Sequence, residues 1–217
     1  MSFISVTDAA ARIGVSPRRV RAMLLSGDLS GERIGRQWTV DASSLRPAPR
    51  RAGQPFSPRI AWAFIELADG RVPEWVSPSE LSRLRRRWKS YRARDDAVPA
   101  LRSVLARRAE SSRWSAPDPA GLLKDPRFMV SGKSDRRAGI SAASYAEGYA
   151  HAGDADDLVR QHMLLPARGP ENVMLRVVDG PVPDPVPWLA VVVDLADGDV
   201  RDNQQAEVLF AKEIRHD

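Results

Sequence analysis

Residues 5–45, SVTDAAARIGVSPRRVRAMLLSGDLSGERIGRQWTVDASSL, carry start and stop signals so closely spaced that one order of elements fits them. Ser5 and Asp8 form the Ser-x-x-Asp opening of a helix, where side chains satisfy the first backbone donors. Ala9, Ala10 and Ile13 give that helix an apolar side, Gly14 can adopt the left-handed conformation that stops it, and Val15 fills the turn. Ser16 then caps a second helix whose first residue is Pro17, a position where the missing N–H costs nothing. Val20, Leu24 and Leu25 face inward at helical spacing, Arg18, Arg19 and Arg21 point elsewhere, and Gly27 closes the helix. Residues 29–40 read as a hairpin turning at Gly35-Arg36. Helix, short turn, helix, hairpin is the plan of a winged helix-turn-helix.

The residue types on this plan point to duplex DNA. The first half-turn of the second helix offers Ser16, Arg18 and Arg19, and an arginine can grip guanine O6 and N7 with two hydrogen bonds. Arg21 is a further groove candidate, although Val20 and Ala22 beside it suit packing better. Arg33, Arg36 and Gln37 on the wing are candidates for phosphate or minor-groove contact. Trp38 reads as core, holding the wing to the helices. A helix-turn-helix used only for protein contact is the competing reading of the segment. The succession of AAARIGVS, a basic second helix, SGDL and ERIGRQWTV resembles the excisionase/MerR-type DNA-binding domains. The resemblance implies that the second helix enters the major groove and the wing touches the flanking backbone.

A chain of 217 residues has room for one large or two small domains. It has no cysteine, which excludes disulfides and thiolate metal sites. With no apolar run of 18 residues and an opening, MSFISVTD, unlike a signal peptide, a cytoplasmic protein without a membrane span is expected. Charge is divided unevenly. Residues 1–137 hold 27 Lys/Arg against 14 Asp/Glu, a balance of +13, and residues 138–217 hold 6 against 14, a balance of −8. A polyanion at the front and a basic partner at the back would account for that split; so would surface charge serving solubility alone.

Residues 46–58, RPAPRRAGQPFSP, contain four prolines and a glycine and read as a tether, with the linker proper at 51–57. Arg46, Arg50 and Arg51 would either lie along DNA as a minor-groove arm or remain solvated. Beyond it, Ser57-Pro58 opens an apolar helix, PRIAWAFIELA, expected at the centre of a second domain. Ser77-Pro78 opens another, with Leu81, Leu84 and Trp88 on one face and Arg83, Arg85, Arg86, Arg87, Lys89, Arg92 and Arg94 on the other. That second face reads either as solvated or as phosphate-facing. Further helices are expected over residues 98–109, 155–165 and 199–214, and strands at RFMVSG and ENVMLRVV. WLAVVVDLA fits a strand or a buried helix equally.

Catalytic signatures are lacking. His151, His162 and His216 fall in no metal-binding spacing, and GxSxG, GxGxxG and the Walker loop do not occur. Ser131-Gly132-Lys133-Ser134 lacks the upstream glycine of a phosphate loop. Asp154, Asp156 and Asp157 suit a helix start, and Asp194 and Asp197 look equally ordinary. No enzyme activity, metal or cofactor is therefore expected, against a competing reading as a metal-dependent nuclease or transferase using the aspartate-rich tail.

The order DPRFMVSG, SAASYAEGY, ADDLVRQHMLLPARGPENVMLRVVDG and VPWLAVVVDLADGDVRDNQQAEVLF, over residues 120–215, resembles antitoxins of the abortive-infection AbiEi class of type IV toxin–antitoxin systems. That likeness implies a winged helix followed by an α/β domain, repression of the protein's own operon, and a partner toxin of nucleotidyltransferase type. The expected architecture is thus α+β: a winged helix-turn-helix over residues 1–50 and a mixed α/β domain over 58–217. The expected role is a bacterial antitoxin and autorepressor, a possible homodimer on a duplex operator. An excisionase-like architectural factor with no toxin partner is the alternative.

Overall fold

The structure, a computed structural model, describes residues 3–13, 16–26, 29–35, 37–42, 54–141 and 144–215. Gly14, Val15, Gly27, Arg36 and the linker residues Arg46, Arg50 and Arg51 lie outside that set. The chain is α+β and divides into two compact units, Met1–Ala52 and Gly53–Asp217.

Unit 1 runs β1 (Phe3–Ser5), α1 (Val6–Ile13), α2 (Pro17–Ser26), β2 (Gly31–Ile34) and β3 (Gln37–Asp41). Ser5 Oγ accepts the Asp8 N–H at 3.0 Å and donates to Asp8 Oδ2 at 2.7 Å, so the expected start signal works, with the hydroxyl itself closing the loop between the two residues. Strands β2 and β3 pair antiparallel, Arg33 opposite Trp38 and Ile34 opposite Gln37, and Gly35 takes φ +62° at the turn. The sequence did not announce β1, which pairs with β3 and makes β3 the middle strand of three. Val6, Ala9, Ala10, Val20, Leu24, Leu29 and Val40 form the core, with Ile4, Met23 and Trp38 packed against it. Gly31 marks the closest approach: a Cβ there would stand 2.2 Å from the Thr39 carbonyl oxygen and 2.6 Å from Leu24 Cδ2. The hairpin packs on α2 because that position is bare.

Unit 2 contains α3 (Pro58–Ala68), α4 (Pro78–Arg92), α5 (Ala97–Val104), β4 (Glu110–Ser115), α6 (Pro119–Leu122), β5 (Met129–Val130), β6 (Ala146–His151), α7 (Ala152–Gln161), β7 (Leu165–Pro166), β8 (Val173–Val178), α8 (Trp188–Ala196) and α9 (Val200–Glu213). The sheet order is β5-β6-β8-β4-β7. Only β6 and β8 run parallel, and α7 supplies the crossover that a parallel pair requires. Alternation along the strands sends side chains to two separate cores. Ala146, Ala150, Val173 and Leu175 meet Leu122 and Leu158 on one face. Tyr149 and Val178 meet α3, α4, α5, α8 and α9 on the other. Aromatic rings knit the helices of that second face, with Phe64–Trp88, Trp88–Trp188 and Trp188–Phe210 centroids 5.8, 5.9 and 6.0 Å apart.

Several expectations change in detail. Phe56, placed in the linker, is buried in unit 2, and its N–H donates to the Val104 carbonyl at 2.8 Å. Ser57 precedes α3 without a side-chain capping bond, whereas Ser77 and Glu80 form a complete capping box at α4. α3 shares the centre with α8, whose nine residues are all buried. The expected helix at 98–109 stops at Val104, and α7 begins ahead of Asp154, behind His151.

Candidate nucleic-acid interface

The α2 helix is anchored by Val20, fully buried, and by Leu24, both turned into the core of unit 1. Ser16 precedes its first turn, and its carbonyl accepts the Val20 N–H at 3.2 Å. With that face fixed, Arg18 and Arg21 fall three positions apart on the exposed side, and Ala22 is exposed beside them. No carboxylate sits in the first turn of α2. Of the other residues read as DNA contacts, Arg33 is exposed in β2 directly across from Trp38, and Gly35 leaves the turn open on all sides. Arg19 and Gln37 have their backbones in α2 and β3, while their side chains, like all of Arg36, Arg50 and Arg51, lie outside what is described. Trp38 is half-buried against the core, as its reading as a wing anchor requires. Unit 1 holds nine Lys/Arg and four Asp/Glu in its sequence, so its formal charge is positive.

Unit 2 contains a constellation that the sequence concealed. Asp194, ordinary in sequence, is the hub of a buried ionic network between α8, the sheet and the segment after α5. Its Oδ1 accepts from Arg108 Nη2 at 2.5 Å, from Arg108 Nε at 3.0 Å and from the Tyr149 hydroxyl at 2.8 Å. Its Oδ2 accepts from the Ser131 hydroxyl at 2.5 Å. Arg176 lies 3.1 Å from Asp194 through Nε and 2.7 Å from Glu147 Oε1 through Nη1; both contacts are close as ion pairs and poorly aligned as hydrogen bonds. Arg108 also reaches Asp197 Oδ2 at 2.7 Å, and Asp197 accepts from Arg102 at the surface. Burial opposes the charge on Arg108, yet Tyr149, Asp194 and Asp197 hold its pKa well above the ordinary arginine value. Burial raises Glu147, with Arg176 opposing, and also raises Tyr149, which the Asp194 charge pushes further.

This network reaches the surface at Asp197 and Arg102. Ser131-Gly132-Lys133-Ser134, the fragment reminiscent of a phosphate loop, does cradle an anion, but the anion is the protein's own Glu147. The Lys133 N–H donates to Glu147 Oε2 at 3.0 Å, and the Lys133 ammonium lies 3.0 Å from Asp202. Gly132, at φ +53°, lies so close that a Cβ would stand 2.1 Å from Glu147 Cδ. Two surface concavities, one along Gly198, Asp199 and Val200 and one along Leu165, Pro166 and Arg168, include no member of the network. Among the described residues, no three His, Asp or Glu side chains come together as a metal site, and no helix is long and apolar enough to cross a membrane.

No family model, curated protein or solved structure matches this chain.

Proposed function

We propose that the protein is a non-enzymatic, duplex-DNA-binding autorepressor that reads its operator through a winged helix-turn-helix in unit 1. One observation carries the reading: α2 commits Val20 and Leu24 to the core while holding Arg18 and Arg21 exposed beside a hairpin with an exposed Arg33 and an open glycine tip. In this reading α2 lies in the major groove, Arg18 and Arg19 contact base edges, and Arg33 and Arg36 contact phosphates. One such module covers little DNA, so a homodimer on half-sites one helical turn apart, about 34–36 Å, belongs to the proposal. The likeness of residues 120–215 to abortive-infection antitoxins adds a toxin of nucleotidyltransferase type as partner of unit 2. Co-purification with the product of the neighbouring gene tests that addition separately.

Fluorescence anisotropy on the protein's own upstream DNA and on a scrambled duplex of equal length, at two salt concentrations, tests the repressor. The upstream duplex is expected to bind more tightly, and Arg18→Ala or Arg19→Ala to remove about 1–3 kcal/mol of that preference. Equal, steeply salt-dependent binding to both duplexes overturns the repressor reading.

A further inference from the structure

Unit 2 is formally neutral, with 24 Lys/Arg and 24 Asp/Glu over residues 53–217. Much of that charge is paired internally. Arg59 meets Glu80, and Arg71, Arg94, Arg102, Arg127 and Arg137 each meet an aspartate within 3.0 Å. Along α4 the pattern breaks. The helix carries six Lys/Arg against one carboxylate, Glu80, and that carboxylate is taken up by the Ser77 cap and by Arg59.

Some of the α4 cations and the next one along the chain have structural work. Arg87 stacks over the Phe56 ring at 4.9 Å, and Arg94, just past the helix, pairs with Asp96. Arg83, Arg86 and Lys89 do not. They recur every third residue, they are exposed, and no carboxylate of the described residues pairs with them. Over six residues they span about 9 Å along the helix, roughly two or three phosphates of one DNA strand at about 3.4 Å each. Arg85 flanks the row, and exposed Ser82 and Ser90 add neutral donors beside it. Trp88 and Leu84 are buried, and the half-buried Tyr91 ring packs against Phe64 and Arg94, so the exposed row presents neither a free ring to stack on a base nor an apolar face to sink into a lipid surface.

We infer that the Arg83–Arg86–Lys89 row of α4 is a second DNA contact, binding the phosphate backbone of duplex DNA irrespective of sequence. It deepens the proposed function and rests on it: unit 1 selects the site, and α4 supplies affinity and salt dependence.

The test compares full-length protein with the triple variant Arg83→Gln, Arg86→Gln, Lys89→Gln on upstream and scrambled duplexes across a salt series. Glutamine keeps the helix propensity, and an unchanged thermal melt confirms the fold. A control triple, Arg136→Gln, Arg168→Gln, Arg201→Gln, removes the same charge from exposed positions on other segments. The α4 variant is expected to bind both duplexes more weakly, by about tenfold or more at low salt, with its log–log salt slope reduced by about 2–3 and the ratio between duplexes preserved. A full slope in the α4 variant, or an equal loss in the control, overturns the inference. So does binding to phosphatidylserine vesicles that the α4 variant loses while its DNA binding stays intact. If the wild-type protein binds neither duplex, the repressor proposal falls and this inference with it. If the wild type binds, Arg18→Ala abolishes the site preference and the α4 variant is unaffected, only this inference falls.

Discussion

Asp194 sits in an apolar run, WLAVVVDLA, and its carboxylate accepts from Arg108, Tyr149 and Ser131 and pairs with Arg176 at one point. Removing it leaves two buried guanidinium groups short of charge. Asp194→Ala should destabilise unit 2 by about 3–5 kcal/mol, read as a lower urea midpoint. Gly132 is a second sensitive position, for a different reason. Its backbone is in the left-handed region, and a Cβ would meet a carboxylate that Arg176 and the Lys133 amide hold in place. Gly132→Ala should cost at least about 1–2 kcal/mol from the backbone alone, and a melting temperature equal to wild type would contradict this account. Neither role was visible in the sequence. A lone aspartate in an apolar helix and a glycine in SGKS acquire meaning only when the fold brings residues 108, 147 and 194 together.

At the scale of elements, the legible ones carried a local signal. The start of α1, the Gly35 turn, α3 and the start of α4 all follow from residues a few positions apart. The strands β4 and β6 escaped because ESSRWS is polar on both faces and AEGYAH has little β-branched character. Their place is set by long-range pairing with β8. The position of α8 was open for the opposite reason, since a segment buried on every side has no period to reveal it. Among the candidate DNA contacts, exposure of Arg18 and Arg21 followed from the helical spacing of Val20 and Leu24. The α4 row was legible as charge, whereas its lack of partners required the pairing pattern of the whole unit. The α4 cap also has a pH signature. Its Ser77 backbone bond, with Arg59 and the Ser77 hydroxyl assisting, lowers the pKa of Glu80 to about 2. A depressed carboxylate stabilises the fold above its unfolded pKa, near 4.3, and that contribution is lost as pH falls toward 2. Thermal melts from pH 5 to 2 should therefore fall less steeply for Glu80→Gln than for wild type; parallel curves would remove the cap from the pH response.

Across the whole molecule, the core of unit 1 shares no residue with the two cores of unit 2. Unit 1 spans only about fifty residues, and a module of that size is marginal on its own. Leu24→Ala, at about 2–5 kcal/mol, should unfold it and abolish DNA binding, while the urea transition of unit 2 stays where it was. Asp194→Ala should do the reverse, lowering the unit 2 transition and sparing the other. A single merged transition in both variants would contradict two independently stable cores.

The Arg108–Asp194 bond also sets a timetable for synthesis. The two partners are 86 residues apart, so at about 5–20 residues per second the ribosome takes on the order of ten seconds to deliver the second after the first. Throughout that interval Arg108 has no Asp194 to meet, and the sheet lacks the helix that covers its larger face. Unit 1, which ends at Ala52, is complete long before. A transcript cut short ahead of α8 therefore yields a finished unit 1 joined to a unit 2 that cannot close, which cellular proteases would be expected to remove. Closure of unit 2 waits on the arrival of α8.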